Sequence, residues 1–472
     1  MNSGGSAHND TARFLLTARR CPWKLQVDAD PGPLGLPASG EEMILRDPVH
    51  GLVAFEADEY SIIPRLLDTR EVQRLRRIRQ LGLTSFAYPG ADHTRFSHAI
   101  GAAFVMTRFI RRLQEIHEVL PFWQRVTTER ARDAVAAALL HDVGHGPFSH
   151  LFEEALPDGP SHEEWTTRIV MDPSTEVHRV LAESDPGLPG RVNELVHGRH
   201  RLTYLARTVS GTFDVDRCDY LLRDAHSTGV EYGKFDLDWL LRSLRFGEPR
   251  EDGEAPSLAI DGAKGLPAIE SFILARLFMF QHVYFHKTSR ASEWMVARLL
   301  GRVCRLLADG TRLPAVPRAI ESIARGGDAP IGEYLDLDDN VLWTAIAAWR
   351  EARDPVLRDF SERLFARRLF KTHELYGDAR GPEDRERVHE AAREVAKAHG
   401  LDPDMYIGLD VASDMPFDDS NDSLMVMFPN GPPKKPSEVS LLLGRLRGER
   451  LERVRLVFPP ELREALAPLF HG

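Results

Sequence analysis

The chain has 472 residues, with 60 Lys plus Arg against 71 Asp plus Glu and a formal net charge of −11, so it lacks the basic excess of a general nucleic-acid coat. Hydrophobic residues make up 43% and charged residues 28%, a globular balance long enough for roughly three domains or subdomains. Three well-separated cysteines, Cys21, Cys218 and Cys304, exclude a disulfide framework and a CxxC zinc site and fit a cytoplasmic setting. No apolar run reaches the roughly 18 residues of a membrane span, so no membrane partner is expected.

In chain order, residues 1–42 read as a disordered or extended lead-in, because DADPGPLGLPASGEE (28–42) has no hydrophobic period. The basic stretch ARFLLTARR (12–20) has only FLL as its apolar part, too short for a secretory signal. Patterned sequence begins at Met43, an alternative start. The stretch 71–82 places Val72, Leu75, Ile78 and Leu81 at helical steps and ends on Gly82. Further helices are expected over 129–144, 215–226, 267–287, 341–350 and 359–371. After about 375 a charged helix (383–400) precedes short β-like runs at 405–412, 423–428 and 453–458, and a last helix at 461–470. The expectation is a mostly α chain, with a helical core over 43–375 and a small α+β appendage over 376–472.

The densest chemical signal is HDVGHGPFSH (141–150), in which His141 and Asp142 end an apolar helix. A lone His-Asp pair is more often structural than metal-binding. Here two glycines and a proline interrupt the chain and turn His145 and His150 back toward the same place. His98 in HTRFSHAIG and Asp216 in FDVDRCDY complete a set of two nitrogens and two oxygens for one divalent ion. Mn, Fe, Zn, Ni, Co and Mg all suit such donors. His145, Glu153 and His162 form a second layer suited to proton transfer. The alternative for Glu153 and His162 is exposure beside a loop. Arg95 lies three residues before His98, Arg217 follows Asp216 and Arg276 stands eight residues before Tyr284; together they point to an anion of several charges, although solvated arginine is the common case.

These segments resemble the HD-domain metal phosphohydrolases, and most closely the deoxynucleoside triphosphate triphosphohydrolases and their bacterial relatives. RDPVHG (46–51), DTREVQRLRRIRQLG (68–82), YPGADHTRFSHAIG (88–101), HDVGHGPFSH, DVDRCDYLLRD (214–224) and VYFHK (283–287) occur in that family's order. The resemblance covers roughly 43–375 and implies an HD-domain helical core. It implies that His98, His141, Asp142 and Asp216 hold the metal, and that His145, Glu153 and His162 are the acid/base group. It gives the phosphates to Arg95, Arg217 and Arg276, the sugar 3′-hydroxyl to Gln80 and Asp224, and the sugar pocket to Tyr220. His150 is counted with these substrate contacts, and Tyr284 would exclude a ribose 2′-hydroxyl. Glu153 stands where the animal pattern has Asp, and Arg217 where it has Lys.

The implied reaction is attack of a metal-polarised water on the α-phosphorus of a deoxynucleoside triphosphate, releasing deoxynucleoside and inorganic triphosphate. The resemblance also implies a homo-oligomer, dimer or tetramer, with a guanine-nucleotide activator at Asp68, Gln73, Arg76 and Arg367. MILR (43–46) lacks the lysine and asparagine of the animal activator site, and Asp68 could instead cap the 71–82 helix. Rival readings are an HD phosphohydrolase acting on nucleoside monophosphates or nucleic-acid phosphodiesters, and a non-catalytic nucleotide sensor.

Overall fold

Four helices that build the site begin where a short polar side chain meets their free backbone N–H groups. Thr94 caps α1 (Arg95–Ile116), and Thr127 caps α2 (Thr128–Leu140). Ser161 and Glu164 form a capping box on α3 (His162–Met171). Asp214 caps α4 (Val215–Thr228), which ends at the left-handed Gly229. These caps set the register at which Arg95, His162 and Asp216 enter a first turn, and His141 is the residue that ends α2. Two longer segments follow, α5 (Leu266–Met279) and α6 (Lys287–Ala308).

The computed structural model describes residues 43–56, 60–155, 159–248, 255–420 and 424–470. The lead-in read over 1–42, with Cys21, lies outside the described residues. The fold is mostly α, with small sheets. Strands β1 (Met43–Asp47) and β2 (Gly51–Phe55) form an antiparallel hairpin. β3 (Leu244–Phe246) pairs antiparallel with β4 (Leu258–Asp261), and β4 pairs parallel with β7 (Met425–Met427). β5 (Lys371–Glu374), β8 (Leu451–Phe458) and β6 (Gly408–Asp414) form an antiparallel sheet in that order. The C-terminal region is therefore joined to the helical body by β7 on β4, and its own sheet begins at Lys371.

One hydrophobic core gathers α1, α2 and α4 around Val105, Phe109, Val135 and Leu221. A second surrounds α6, with Met295, Leu299, Trp349 and Phe360. A third, smaller one packs Ala392 and Ala396 against β8 through Leu456 and Phe458. Among the described residues no helix is long and apolar enough to cross a membrane.

α1 and α4 approach so closely that a methyl group at Gly101 would overlap the buried side chains of Asp219 and Arg223. Gly101→Ala is expected to cost about 2–3 kcal/mol through overpacking, despite alanine's better helix propensity, as read from denaturant unfolding.

Several helices stop earlier than their periodicity predicts. The segment 71–82 is helical only over Arg70–Arg74 plus a 3₁₀ turn, Leu75–Arg77, and Ile78 is extended. Tertiary hydrogen bonds take its backbone: Arg79 N–H donates to Asp339 Oδ2 at 2.9 Å and Gln80 N–H to the His93 carbonyl at 3.0 Å. Asp68 ends the preceding short helix, and the cap position of the 70–74 helix is Thr69. The 267–287 segment widens into a π-helical turn at Phe280–Tyr284 before α6 begins. The 359–371 run ends as a helix at Phe365, because Arg367 adopts φ 52° and the chain enters β5. The last helix is a series of short turns, Pro460–Leu462, Arg463–Leu466 and Ala467–Phe470.

Asp339 also accepts Phe148 N–H at 2.9 Å, so one buried carboxylate ties together the two loops beside His145. Burial pushes its pKa up to about 6, against the two backbone donors that favour the charged form. The folded state then binds more protons than the unfolded one between about pH 4 and pH 6. Stability is expected to fall by up to about 3 kcal/mol as pH rises through that window, and Asp339→Asn to flatten this slope in unfolding titrations.

Candidate metal centre and catalytic cleft

Helix ends converge on one point. His98, in the first turns of α1, is buried and donates from Nδ1 to Asp219 Oδ2 at 2.8 Å. His141, at the end of α2, donates from Nδ1 to the Ala138 carbonyl at 2.8 Å. Each ring thereby points Nε2 inward, and the two Nε2 atoms face each other at 3.3 Å. Asp216 Oδ1 lies 3.1 Å from His98 Nε2 and 3.5 Å from His141 Nε2. Asp142 Oδ1 lies 3.4 Å from His141 Nε2, and its Oδ2 lies 3.7 Å from His98 Nε2. Arg95, at the start of α1, pairs with that same Oδ2.

Two ring nitrogens whose partner nitrogens already donate cannot face each other unless a proton or a cation lies between them. Burial alone lowers the pKa of His98, but the Asp216 and Asp219 carboxylates outweigh it and raise it to about 10. Burial pushes Asp142 up, whereas His141, Arg95 and His145 hold it well below the usual carboxylate range. Asp216 is held low in the same way by His141 and His98. The site thus calls for positive charge between its donors: His98, His141 and Asp216 present ligand atoms that could hold a divalent ion, and Asp142 Oδ1 stands beside them.

The chain around this point is clamped. Thr166 Oγ1 accepts Gly144 N–H at 3.1 Å and donates to the His141 carbonyl at 3.2 Å. Tyr334 donates to the Gly144 carbonyl at 2.6 Å, and buried Arg74 to the His145 carbonyl at 2.8 Å. Phe148 and Ser149 both adopt left-handed backbone, with φ of 57° and 60°. Such strain persists only where surrounding bonds over-determine it. Here Ser149 Oγ accepts Arg95 Nε–H at 2.9 Å and donates to the Arg79 carbonyl at 3.1 Å.

Beside the centre, His145 stacks on His162 with ring centroids 4.0 Å apart and planes 14° from parallel. His162 Nδ1 lies 2.9 Å from Glu153 Oε1, and His145 Nε2 lies 3.3 Å from Asp142 Oδ1. The stacked rings send their lone pairs along parallel planes, so this trio suits proton transfer better than a second ion. Burial, then Arg95, depresses the His145 pKa well below its ordinary value, which keeps the imidazole neutral at pH 7. The side chain of His150 lies outside the described residues.

A cleft of about 620 Å³ opens from these groups. Arg95, Asp142, His145, His162 and Asp216 line one part of it, and Gln80, Tyr220, Asp224 and Tyr284 another. Tyr284 donates to Asp224 Oδ2 at 2.8 Å, and His93 Nε2 lies 2.7 Å from Asp224 Oδ1. Gln80 Oε1 is buried with no partner among the described residues. Arg217 and Arg276 face an adjoining pocket of about 390 Å³ and are held by Asp214 and Asp414 respectively. Of the positions read as an activator site, Gln73 Oε1 accepts Arg76 Nε–H at 2.8 Å on the surface, while Arg367 donates to the Phe86 carbonyl.

Residues 95–222 match the HD domain family, and residues 235–314 the HD associated region. A solved phosphohydrolase from Bacteroides thetaiotaomicron superposes with a TM-score of 0.74 at 29% identity, over 89% of this chain and 100% of that one. The uncharacterized protein YwfO of Bacillus subtilis is 33% identical over 429 residues, covering 89% of this chain and 93% of that protein. This chain belongs to the HD-domain phosphohydrolase family. A more distant likeness is to deoxynucleoside triphosphate triphosphohydrolase SAMHD1 of Gallus gallus, 25% identical over 364 residues. That match covers 70% of this chain and 55% of the chicken protein.

As an HD phosphohydrolase, the protein has the four candidate metal residues inside the matched 95–222 segment, and Arg276 and Tyr284 inside the associated region. Residue-by-residue reading missed the partners that orient them. Asp219 lies three residues after Asp216, a spacing that puts both on one helical face and could have flagged it. His50, 2.6 Å from Asp219, stands in the RDPVHG segment, whereas Asp339 carries no local signal.

Proposed function

We propose that this HD phosphohydrolase cleaves deoxynucleoside triphosphates at the α-phosphate, releasing deoxynucleoside and inorganic triphosphate. The observation that carries the reading is the cleft itself, which joins the metal-type donors and His145 to Tyr220, Asp224 and Tyr284 in about 620 Å³. That volume suits a nucleotide better than a bare phosphate. His98, His141, Asp142 and Asp216 would hold a divalent ion (Mn, Fe, Zn, Ni, Co or Mg). When bound, such an ion supplies Lewis acidity and a water of lowered pKa.

The chain's own residues do the rest. Arg95 anchors Asp142 and adds positive charge for the α-phosphate. His145, neutral in the free protein, takes up a proton once negative phosphates offset Arg95, and the resulting imidazolium, backed by His162 and Glu153, passes that proton to the leaving 5′ oxygen and returns to neutral. Gln80 Oε1, buried and unpartnered among the described residues, is a ready acceptor for the sugar 3′-hydroxyl. Asp224 joins it by exchanging its Tyr284 or His93 contact. Tyr284, 6.3 Å from Tyr220, closes the sugar pocket against a 2′-hydroxyl.

The same reading includes a cytoplasmic homo-oligomer with a nucleotide activator at Asp68, Gln73, Arg76 and Arg367. Of that site, Gln73 and Arg76 are paired on the surface. A second reading, hydrolysis of monophosphates or phosphodiesters, is favoured by the engagement of Arg217 and Arg276 with protein carboxylates. The test is chromatographic product analysis with Mn or Mg, using each dNTP alone, all four with GTP, dNMP and single-stranded DNA. Deoxynucleoside plus triphosphate is the expected result. Cleavage of only dNMP or DNA would replace the first reading with the second, and metal binding without any product would favour a sensor.

A further inference from the structure

The C-terminal strand β6 reaches the catalytic cleft at Ser413. Asp410 accepts Arg290 Nη2 at 2.7 Å, Ser413 lines the cleft, and Asp414 Oδ1 accepts Arg276 Nη2 at 2.8 Å. Arg276 Nη1 donates to the carbonyls of Pro416 and Met415 at 2.9 and 3.4 Å. Residues 414–416 thus take up contacts that an anionic ligand would need. The clasp is incomplete: Arg276 Nε and Asp414 Oδ2 are both buried without a partner among the described residues. An arginine–carboxylate pair at its strongest is bidentate, and this one is single-stranded. Burial raises the Asp414 pKa and Arg276 only partly offsets it, which marks a carboxylate not fully compensated where it stands. Beside the pair lies the pocket of about 390 Å³ lined by Arg207, Arg217, Arg276, Met415, Pro416 and Asp418.

We propose that Asp414 is a specificity-determining residue, an internal anion that the terminal phosphates of a polyphosphate ligand displace from Arg276. This inference rests on the triphosphate reading above. A monophosphate held at the metal centre has no terminal phosphates to offer Arg276 and leaves the clasp shut. A triphosphate tail exchanges one carboxylate contact for several phosphate oxygens. The C-terminal region thereby selects for tail length without touching the scissile bond.

The experiment is calorimetric titration of the full-length protein with inorganic triphosphate and, separately, orthophosphate, in Mg buffer. Asp414→Asn is expected to bind triphosphate at least about threefold more tightly than the wild type, with orthophosphate unchanged. In an Arg276→Gln background the same substitution should have no effect. Equal or weaker triphosphate binding by Asp414→Asn would overturn the proposal, because a mere clasp loosens Arg276 when it is lost. If thermal unfolding shows that Asp414→Asn is not folded, Asp414→Ser takes its place. Wild-type hydrogen exchange gives an independent reading: triphosphate should speed exchange at residues 413–418, and unchanged or slower exchange counts against displacement. Because binding is read without turnover, failure here is distinct from failure of the triphosphohydrolase reading, which is decided by product identity.

Discussion

Asp142→Asn is expected to lower phosphohydrolase kcat/KM by at least about a thousandfold while leaving the protein folded. The carboxylate sits between His141 Nε2 at 3.4 Å, His145 Nε2 at 3.3 Å and the Arg95 guanidinium. An amide keeps the shape but removes the charge. It supplies one acceptor oxygen where two are used, and it presents an NH₂ to donors. Metal content by mass spectrometry should fall together with activity. Dichroism and the unfolding midpoint check that the loss is chemical. Retained activity with intact metal content would remove Asp142 from the site. A pure sensor would lose metal affinity with no turnover to lose.

Asp219→Ala carries the largest expected cost in stability. Asp219 is fully buried, and its two oxygens meet His98 Nδ1 at 2.8 Å, His50 Nε2 at 2.6 Å, and Arg223 Nε and Nη2 at 2.8 and 2.9 Å. Burial alone would raise its pKa, but Arg223 and these donors hold it well below the ordinary value. Its contribution is therefore present above the unfolded pKa of about 3.9 and is lost only as pH falls toward the depressed folded value. Without it, Arg223 keeps only Asp47, at 2.8 Å, as an anionic partner among the described residues. Removing one side of a buried ion pair typically costs about 3–5 kcal/mol. The His98 ring would also lose the bond that points Nε2 inward, which should weaken metal affinity about 10- to 100-fold. Urea unfolding and metal titration check the two effects separately. A loss below about 1 kcal/mol would mean that His98 and Arg223 find other partners.

The helical core was legible because its signals are local. Threonine, serine and aspartate caps stand before α1, α2, α3 and α4, and Gly229 closes α4. The candidate metal residues were legible for a related reason, since each sits at or near a helix end that its own neighbours define. Where periodicity failed, long-range bonds had claimed the backbone. Asp339, 260 residues away in sequence, straightens the chain at Arg79 and so delivers Gln80 to the cleft. The π turn at Phe280–Tyr284, which precedes the cap of α6, keeps the apolar pattern of a plain helix.

Helical class, motif order and donor types could be read from the residues alone, because caps, periods and ligand chemistry are properties of short segments. How the donors meet depended on the folded arrangement. It turned both histidine Nε2 atoms inward through Asp219 and the Ala138 carbonyl. It drew Arg217 and Arg276 toward Asp214 and Asp414, in a pocket adjoining the main cleft. It also brought β6 from the C-terminal region to the cleft wall, placing Ser413 there. The physical reason is the same in each case: a charge or a hydrogen bond is satisfied in space, and its partner can stand anywhere along the chain.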